Sequence, residues 1–245
     1  PETVEACLFD LDGVLTDSNA FHARAWAEVF DPLLLSLSER TGWHFIPFDR
    51  DRDYRTYLDG RARLEGVHAF LASRGIRLAE GRPEDDADAE TAQGLARRKR
   101  EALERSLHER DVTPLTGVRR YLEVAGHAGV RRGVVSASAS TQEILAVAQL
   151  DGLVDTYVDA DAMRLEQLRS LPAPDVLISI CRRLGVAPED AVVFTHNPAG
   201  VAAAAAAGLD VVGIGEGADE ALLHGFGAAT VVPSLTVLLD RRLRG

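Results

Sequence analysis

FDLDGVLTD, residues 9–17, ends a short apolar run (EACLFD, residues 5–10) in an acidic loop, and this junction decides the fold. A run of that length with Gly13 just beyond it reads as a buried strand that stops in a turn. Gly13 lets the chain reverse sharply, so that Asp10 and Asp12 face one cavity. Two aspartates at this spacing have a chemical use. One carboxylate can attack an electrophile while its neighbour gives or takes a proton. A D-x-D alone is a moderate signal, because it also occurs in plain turns.

Downstream of the loop the periodicity changes. FHARAWAEVFDPLLLSLSER (21–40) and RARLEGVHAFLASRG (61–75) carry apolar residues three and four apart, the spacing of amphipathic helices. ETAQGLARRKREALERSLHER (90–110) predicts a long charged helix with a narrow apolar stripe. Its Arg97-Arg98-Lys99-Arg100 run, flanked by acids, reads as a solvated helix face. After residue 112 short β-rich runs alternate with helical stretches. The runs are RGVVSAS (132–138), DTYVDA (155–160), AVVFTH (191–196), DVVGIG (210–215) and ATVVP (229–233). STQEILAVAQL (140–150) and PDVLISICRRLG (174–185) lie between them. The alternation predicts a parallel sheet with helices on both faces. Ligands of such sheets sit at the carboxyl ends of the strands, where Asp10, Ser136 and Thr195 all fall. The helical block, residues 18–111, interrupts an α/β core of residues 1–17 and 112–245 and reads as an inserted cap. Hinges are expected near 17–19 and 112–116.

Bulk properties narrow the function. The chain has 245 residues, 46% hydrophobic and 27% charged, with a net charge of -11. An acidic chain is a poor general partner for nucleic acid, whose phosphates reward surplus Lys and Arg. No apolar run reaches membrane-spanning length, and no signal peptide precedes the first strand. Cys7 and Cys181 lie in apolar stretches and read as core residues of a reducing, cytoplasmic setting. The remaining histidines, including His44, His68 and His224, lack metal-ligand spacing.

FDLDGVLTD resembles the first motif of the haloacid dehalogenase superfamily. Further matches look closest to its β-phosphoglucomutase-like subgroup. They are the helical insertion after this motif, VVSAS (134–138) at the second, PAPD (172–175) at the third and AGVAAAAAAG (199–208) after the fourth. The resemblance implies a doubly wound, Rossmann-like α/β core with an inserted helical cap. It also implies that Asp10 is the phosphorylated nucleophile and Asp12 the acid/base, with Ser136 and Ala137 holding phosphoryl oxygens. His22, in the closely matching FHARAW (21–26), and Arg63 and Lys99 would face a small, phosphorylated substrate from the cap.

Three positions depart from the family pattern. Leu171 stands where a lysine precedes Pro-x-Pro, and Thr195 and His196 replace two consecutive acids of the fourth motif. Mg²⁺ requires oxygen ligands in near-octahedral geometry. Asp10 and Asp12 are the ligands left for it, so the sequence assigns no firm cofactor. His196 would suit a softer ion such as Zn²⁺, but one His beside two Asp is a thin set. Without lysine and metal, a phosphate dianion approaches carboxylates against about 4 kcal/mol per charge pair at roughly 4 Å and an effective dielectric of about 20. Arg169 is the nearest cation in sequence that could substitute. Three readings follow. One is a repurposed enzyme using Asp10 and Asp12 in metal-independent acid/base or nucleophilic chemistry. Another is a non-catalytic binding protein that keeps the fold, and the third is residual phosphatase or phosphoglucomutase activity.

Overall fold

The computed structural model describes residues 4–109 and 112–240. The chain forms two compact units, one of Pro1–Asp17 with Val112–Gly245 and one of Ser18–Asp111. In chain order the elements are β1 (Ala6–Asp10), α1 (Asn19–Thr41), α2 (Arg52–Tyr57), α3 (Arg63–Ser73), α4 (Ala92–Glu109), α5 (Val118–His127) and β2 (Arg131–Val135). There follow α6 (Thr141–Val147), β3 (Thr156–Val158), α7 (Ala160–Leu165), α8 (Asp175–Leu184), β4 (Ala191–Thr195) and α9 (Pro198–Ala207). The chain continues with β5 (Asp210–Ile214), α10 (Ala218–Gly225), β6 (Thr230–Val232) and α11 (Leu235–Asp240).

The first unit is the expected parallel α/β core. Its strands pair in the order β3-β2-β1-β4-β5-β6, all parallel. This is the doubly wound, Rossmann-like order, and its switch point lies between β1 and β4, where consecutive strands run outward in opposite directions. Alternation along β1 divides the core. Ala6 and Leu8 join Val176, Ile180, Val193 and Ala203 in one apolar cluster. Phe9 turns to the other face, stacking on Phe194 at 4.9 Å and meeting Tyr121 edge-on at 6.0 Å. Phe9 and Phe194 are paired residues of β1 and β4, so one aromatic stack ties together the two strands that border the switch point. Each of the five β-rich runs after residue 112 is a strand, whereas the short helices α2 and α7 carry too few turns to show a period.

The second unit is helical. Trp26 and Phe30 from α1, Phe48 from the following segment and Phe70 from α3 make its aromatic centre, with Phe30 and Phe70 4.1 Å apart. Among the described residues, no helix of the chain is long and apolar enough to cross a membrane. The basic run on α4 departs from its reading as a solvated face. Arg97 and Arg98 donate to backbone carbonyls of Glu84, Asp85 and Ala87, and Lys99 is buried. The helix turns every fourth residue inward, so a charged run cannot keep all its members in water.

Removing the Phe9 ring tests the tie between β1 and β4. Phe9→Ala should cost about 3–5 kcal/mol of stability through lost burial and a residual cavity. Urea unfolding of the purified protein measures it, and a loss below about 1 kcal/mol would mean that the stack is dispensable.

Candidate active site

The acidic loop owes its shape to local bonding. Beyond Asp10, Leu11 N still donates to Val135 O at 3.1 Å, which prolongs the β1–β2 pairing by one residue. The chain then closes on itself, with Gly13 N donating to Thr16 O and the Thr16 hydroxyl to Leu11 O. Gly13 has φ 75°, a left-handed conformation that side chains with a Cβ resist. Asp10 therefore ends the strand and Asp12 sits in a fixed turn. Just past the loop, the Asp17 carboxylate accepts from Thr113 N at 3.0 Å and from the Thr113 hydroxyl at 2.9 Å. This clasp joins the two chain segments that lead to and from the helical unit.

Around Asp10 the side chains converge from β4. The Thr195 hydroxyl donates to Asp10 Oδ2 at 2.5 Å, and His196 Nδ1 lies 3.5 Å from the same oxygen. Thr195 is fully buried. Its oxygen in turn accepts from Asn197 N at 3.1 Å. Ser136 donates to Asp12 Oδ2 at 3.5 Å, a long bond, and is itself fixed by Ser138 N at 3.1 Å. Ala137 follows Ser136 and is half-buried. The structure thus brings together Asp10, Thr195 and His196 at the end of β1 and β4, and Asp12 with Ser136 beside β2.

Leu171 is partly buried against the apolar cluster formed by Val176, Ile180 and their neighbours. It is a packing residue. Arg169 does not take over the missing charge. Its guanidinium is engaged by the Asp175 carboxylate at 2.8 and 3.0 Å, and its backbone N–H by the same group. The Arg169 bonds hold the Asp175 carboxyl at about 2.

The donor set around Asp10 does not fit Mg²⁺. The carboxylate oxygen facing β4 meets a hydroxyl proton and an imidazole, where a hard ion would require further oxygen ligands. Among the described residues, no group of three or more His, Cys, Asp or Glu is arranged to hold a metal ion.

In the helical unit, His22 of α1 and Lys99 of α4 meet. Lys99 Nζ is 2.9 Å from His22 Nδ1 and 5.6 Å from the centre of the Trp26 ring. A charged ammonium only donates, so Nδ1 accepts and His22 carries its proton on Nε2. Burial foremost, then the charges of Lys99 and Arg63, push the His22 pKa well below 6.5. His22 is a neutral imidazole beside a buried cation.

Sequence reasoning did not single out Ser138, whose backbone N–H bonds to Ser136, or the backbone N–H of Asn197, which bonds to Thr195. The signal available was their spacing, two residues beyond Ser136 and Thr195, where a strand end turns and a backbone N–H can reach back to a hydroxyl.

These features define a protein of the doubly wound α/β class with an acidic site at the switch point, and comparison with known proteins identifies its family. Residues 4–208 match the haloacid dehalogenase-like hydrolase model. The chain belongs to this family. Proteins named β-phosphoglucomutase in Mycobacterium tuberculosis and Mycobacterium bovis are 45% identical over 243 residues, covering 98% of this chain and 93% of theirs. A Mycobacterium tuberculosis protein named as an uncharacterized glycosyl hydrolase is 30% identical over 237 residues, which are 96% of this chain but 17% of that one. A crystal structure of a Clostridium difficile β-phosphoglucomutase has the same fold, with a TM-score of 0.78 at 22% identity over 99% of this chain and 96% of its own. Within the family, this chain is related to the β-phosphoglucomutases.

The neutral state of His22 makes a pH prediction. Its pKa is lower in the folded chain than in the unfolded one, so the unfolded chain takes up this proton first. The stabilisation is complete above about pH 6.5 and is lost as the pH falls below that value. Lys99→Met removes the second cause of the depression and should raise the His22 pKa, read from its imidazole resonances by NMR. An unchanged titration would show that Lys99 carries no charge beside it.

Proposed function

We propose that this chain is a diverged, β-phosphoglucomutase-related enzyme that acts on a small phosphorylated sugar through Asp10 and Asp12 without a metal ion. The observation that carries the reading is the 2.5 Å bond from the Thr195 hydroxyl to Asp10 Oδ2. A protein donor takes the position in which the family presents an acid. Such a donor orients the carboxylate and offsets part of its charge in a site of low dielectric, as fixed dipoles do elsewhere in catalysis. Asp12, with the Ser136 hydroxyl beside it, is the acid/base partner. In the cap, His22 with its proton on Nε2, Lys99 and Arg63 suit recognition of an anionic, hydroxyl-rich substrate. The names of the mycobacterial relatives that match over nearly their full length point to the same class, since they describe a sugar-phosphate mutase.

A second reading is supported by the 45% identity to proteins named β-phosphoglucomutase. In it, phosphoryl transfer persists with Mg²⁺ held by Asp10 and the Asp12 carbonyl. The two readings differ in one measurement. Purified protein is assayed on hexose 1-phosphates of both anomers and on hexose 6-phosphates, with EDTA and with added Mg²⁺. Metal-independent turnover predicts rates equal within about twofold in the two conditions and at least a hundredfold loss in Asp10→Asn, in line with the removal of a nucleophile or its charge. A rate that rises tenfold or more with Mg²⁺ overturns the proposal in favour of the second reading. Binding of these phosphates with no turnover, unchanged by Asp10→Asn, would identify a non-catalytic binding protein.

A further inference from the structure

We infer that Gly200 is a positioning residue for the Asp10 carboxylate and acts through Thr195. Gly200 lies in the first turn of α9, five residues beyond Thr195, and its N–H donates to Asn197 O at 2.9 Å. A Cβ at position 200 would stand 2.3 Å from Thr195 Oγ1, 3.1 Å from its Cβ and 3.3 Å from its Cγ2. The first distance is far inside contact, and the atom it meets is the hydroxyl oxygen that donates to Asp10. Threonine is branched at Cβ, so its hydroxyl moves only if its methyl group moves with it. At a fully buried position that movement has little free space to use.

The same oxygen has its direction set from the other side. Asn197 N donates to it at 3.1 Å, which uses a lone pair and leaves the single hydroxyl proton for an acceptor. Two acceptors are within reach, Asp10 Oδ2 at 2.5 Å and Asn197 O at 3.4 Å. The carboxylate is nearer and, when ionised, the stronger acceptor. Gly200 provides the space for Thr195 Oγ1, Asn197 aims its proton, and Asp10 receives it. None of these links runs through the backbone of the acidic loop. Gly200 is therefore coupled to the loop by a route distinct from the turn at Gly13.

The functional weight of this coupling rests on the proposed role of Asp10, but the coupling itself has its own readout. Protein labelled with ¹³C at the aspartate carboxyl carbons shows Asp10 as the signal missing from Asp10→Asn. At one fixed pH, Gly200→Ala should move that signal to where Thr195→Val moves it, and adding Gly200→Ala to Thr195→Val should move it no further. Should Gly200→Ala not fold, Thr195→Ser with Gly200→Ala serves instead, because a serine hydroxyl can rotate away without carrying a methyl group. That pair should fold and show the Asp10 signal displaced from its place in Thr195→Ser alone. An Asp10 signal that stays at its native position in Gly200→Ala, or at its Thr195→Ser position in the pair, overturns the inference and leaves Gly200 a packing residue only. A displaced signal with unchanged turnover on sugar phosphates supports the coupling and overturns the role proposed for Asp10.

Discussion

The hydrogen bond from Thr195 to Asp10 joins the last residue of β4 to the last residue of β1, and the rest of the site is arranged around it. It exists because the two strands run parallel in register, Phe9 opposite Phe194, with their rings stacked one residue before the acidic end. At the switch point of a doubly wound sheet the flanking connections diverge and leave the strand ends open to a ligand. A side chain at that place either meets the ligand or organises what does. On the proposed function Asp10 has the first position and Thr195 the second. A one-residue slip of β1 against β4 would turn Asp10 to the opposite face and remove the bond.

The charge balance at this end of the sheet is unusual for a phosphate-handling site. Asp10 and Asp12 bring two carboxylates. Leu171 is committed to apolar packing, and Arg169 to Asp175. A hydroxyl dipole costs less to bury than an ammonium, but it offsets only part of a carboxylate's charge. His196, at 3.5 Å from Asp10 Oδ2, is a further group there with an imidazole nitrogen facing the carboxylate.

Much of the fold was legible because two periodicities govern it. Strand runs such as AVVFTH and helical runs such as PDVLISICRRLG are each long enough to show their repeat, and the helical block after the first strand marked the interruption of the core. The acidic loop was legible for a different reason, since D-x-D-G at a strand end permits few backbone paths. The rest depended on where side chains point in three dimensions. Arg169 is near Leu171 in sequence, yet its partner is Asp175, because the turn before α8 brings that carboxylate to it. Lys99 belongs to a basic run but faces inward, since neighbouring residues on a helix point about 100° apart. Gly200 carries no side chain at all, and its importance appears only when the space beside it is found to be filled by the Thr195 hydroxyl.

The helical unit places a buried lysine beside an imidazole. Lys99 lies inside that unit against a neutral His22 and the face of Trp26. An ammonium so placed meets an imidazole lone pair and the face of an aromatic quadrupole. On the proposed function, Leu171, Thr195 and His196 stand where the family has a lysine and two acids, and His22, Lys99 and Arg63 are the groups of the helical unit that would meet a phosphate.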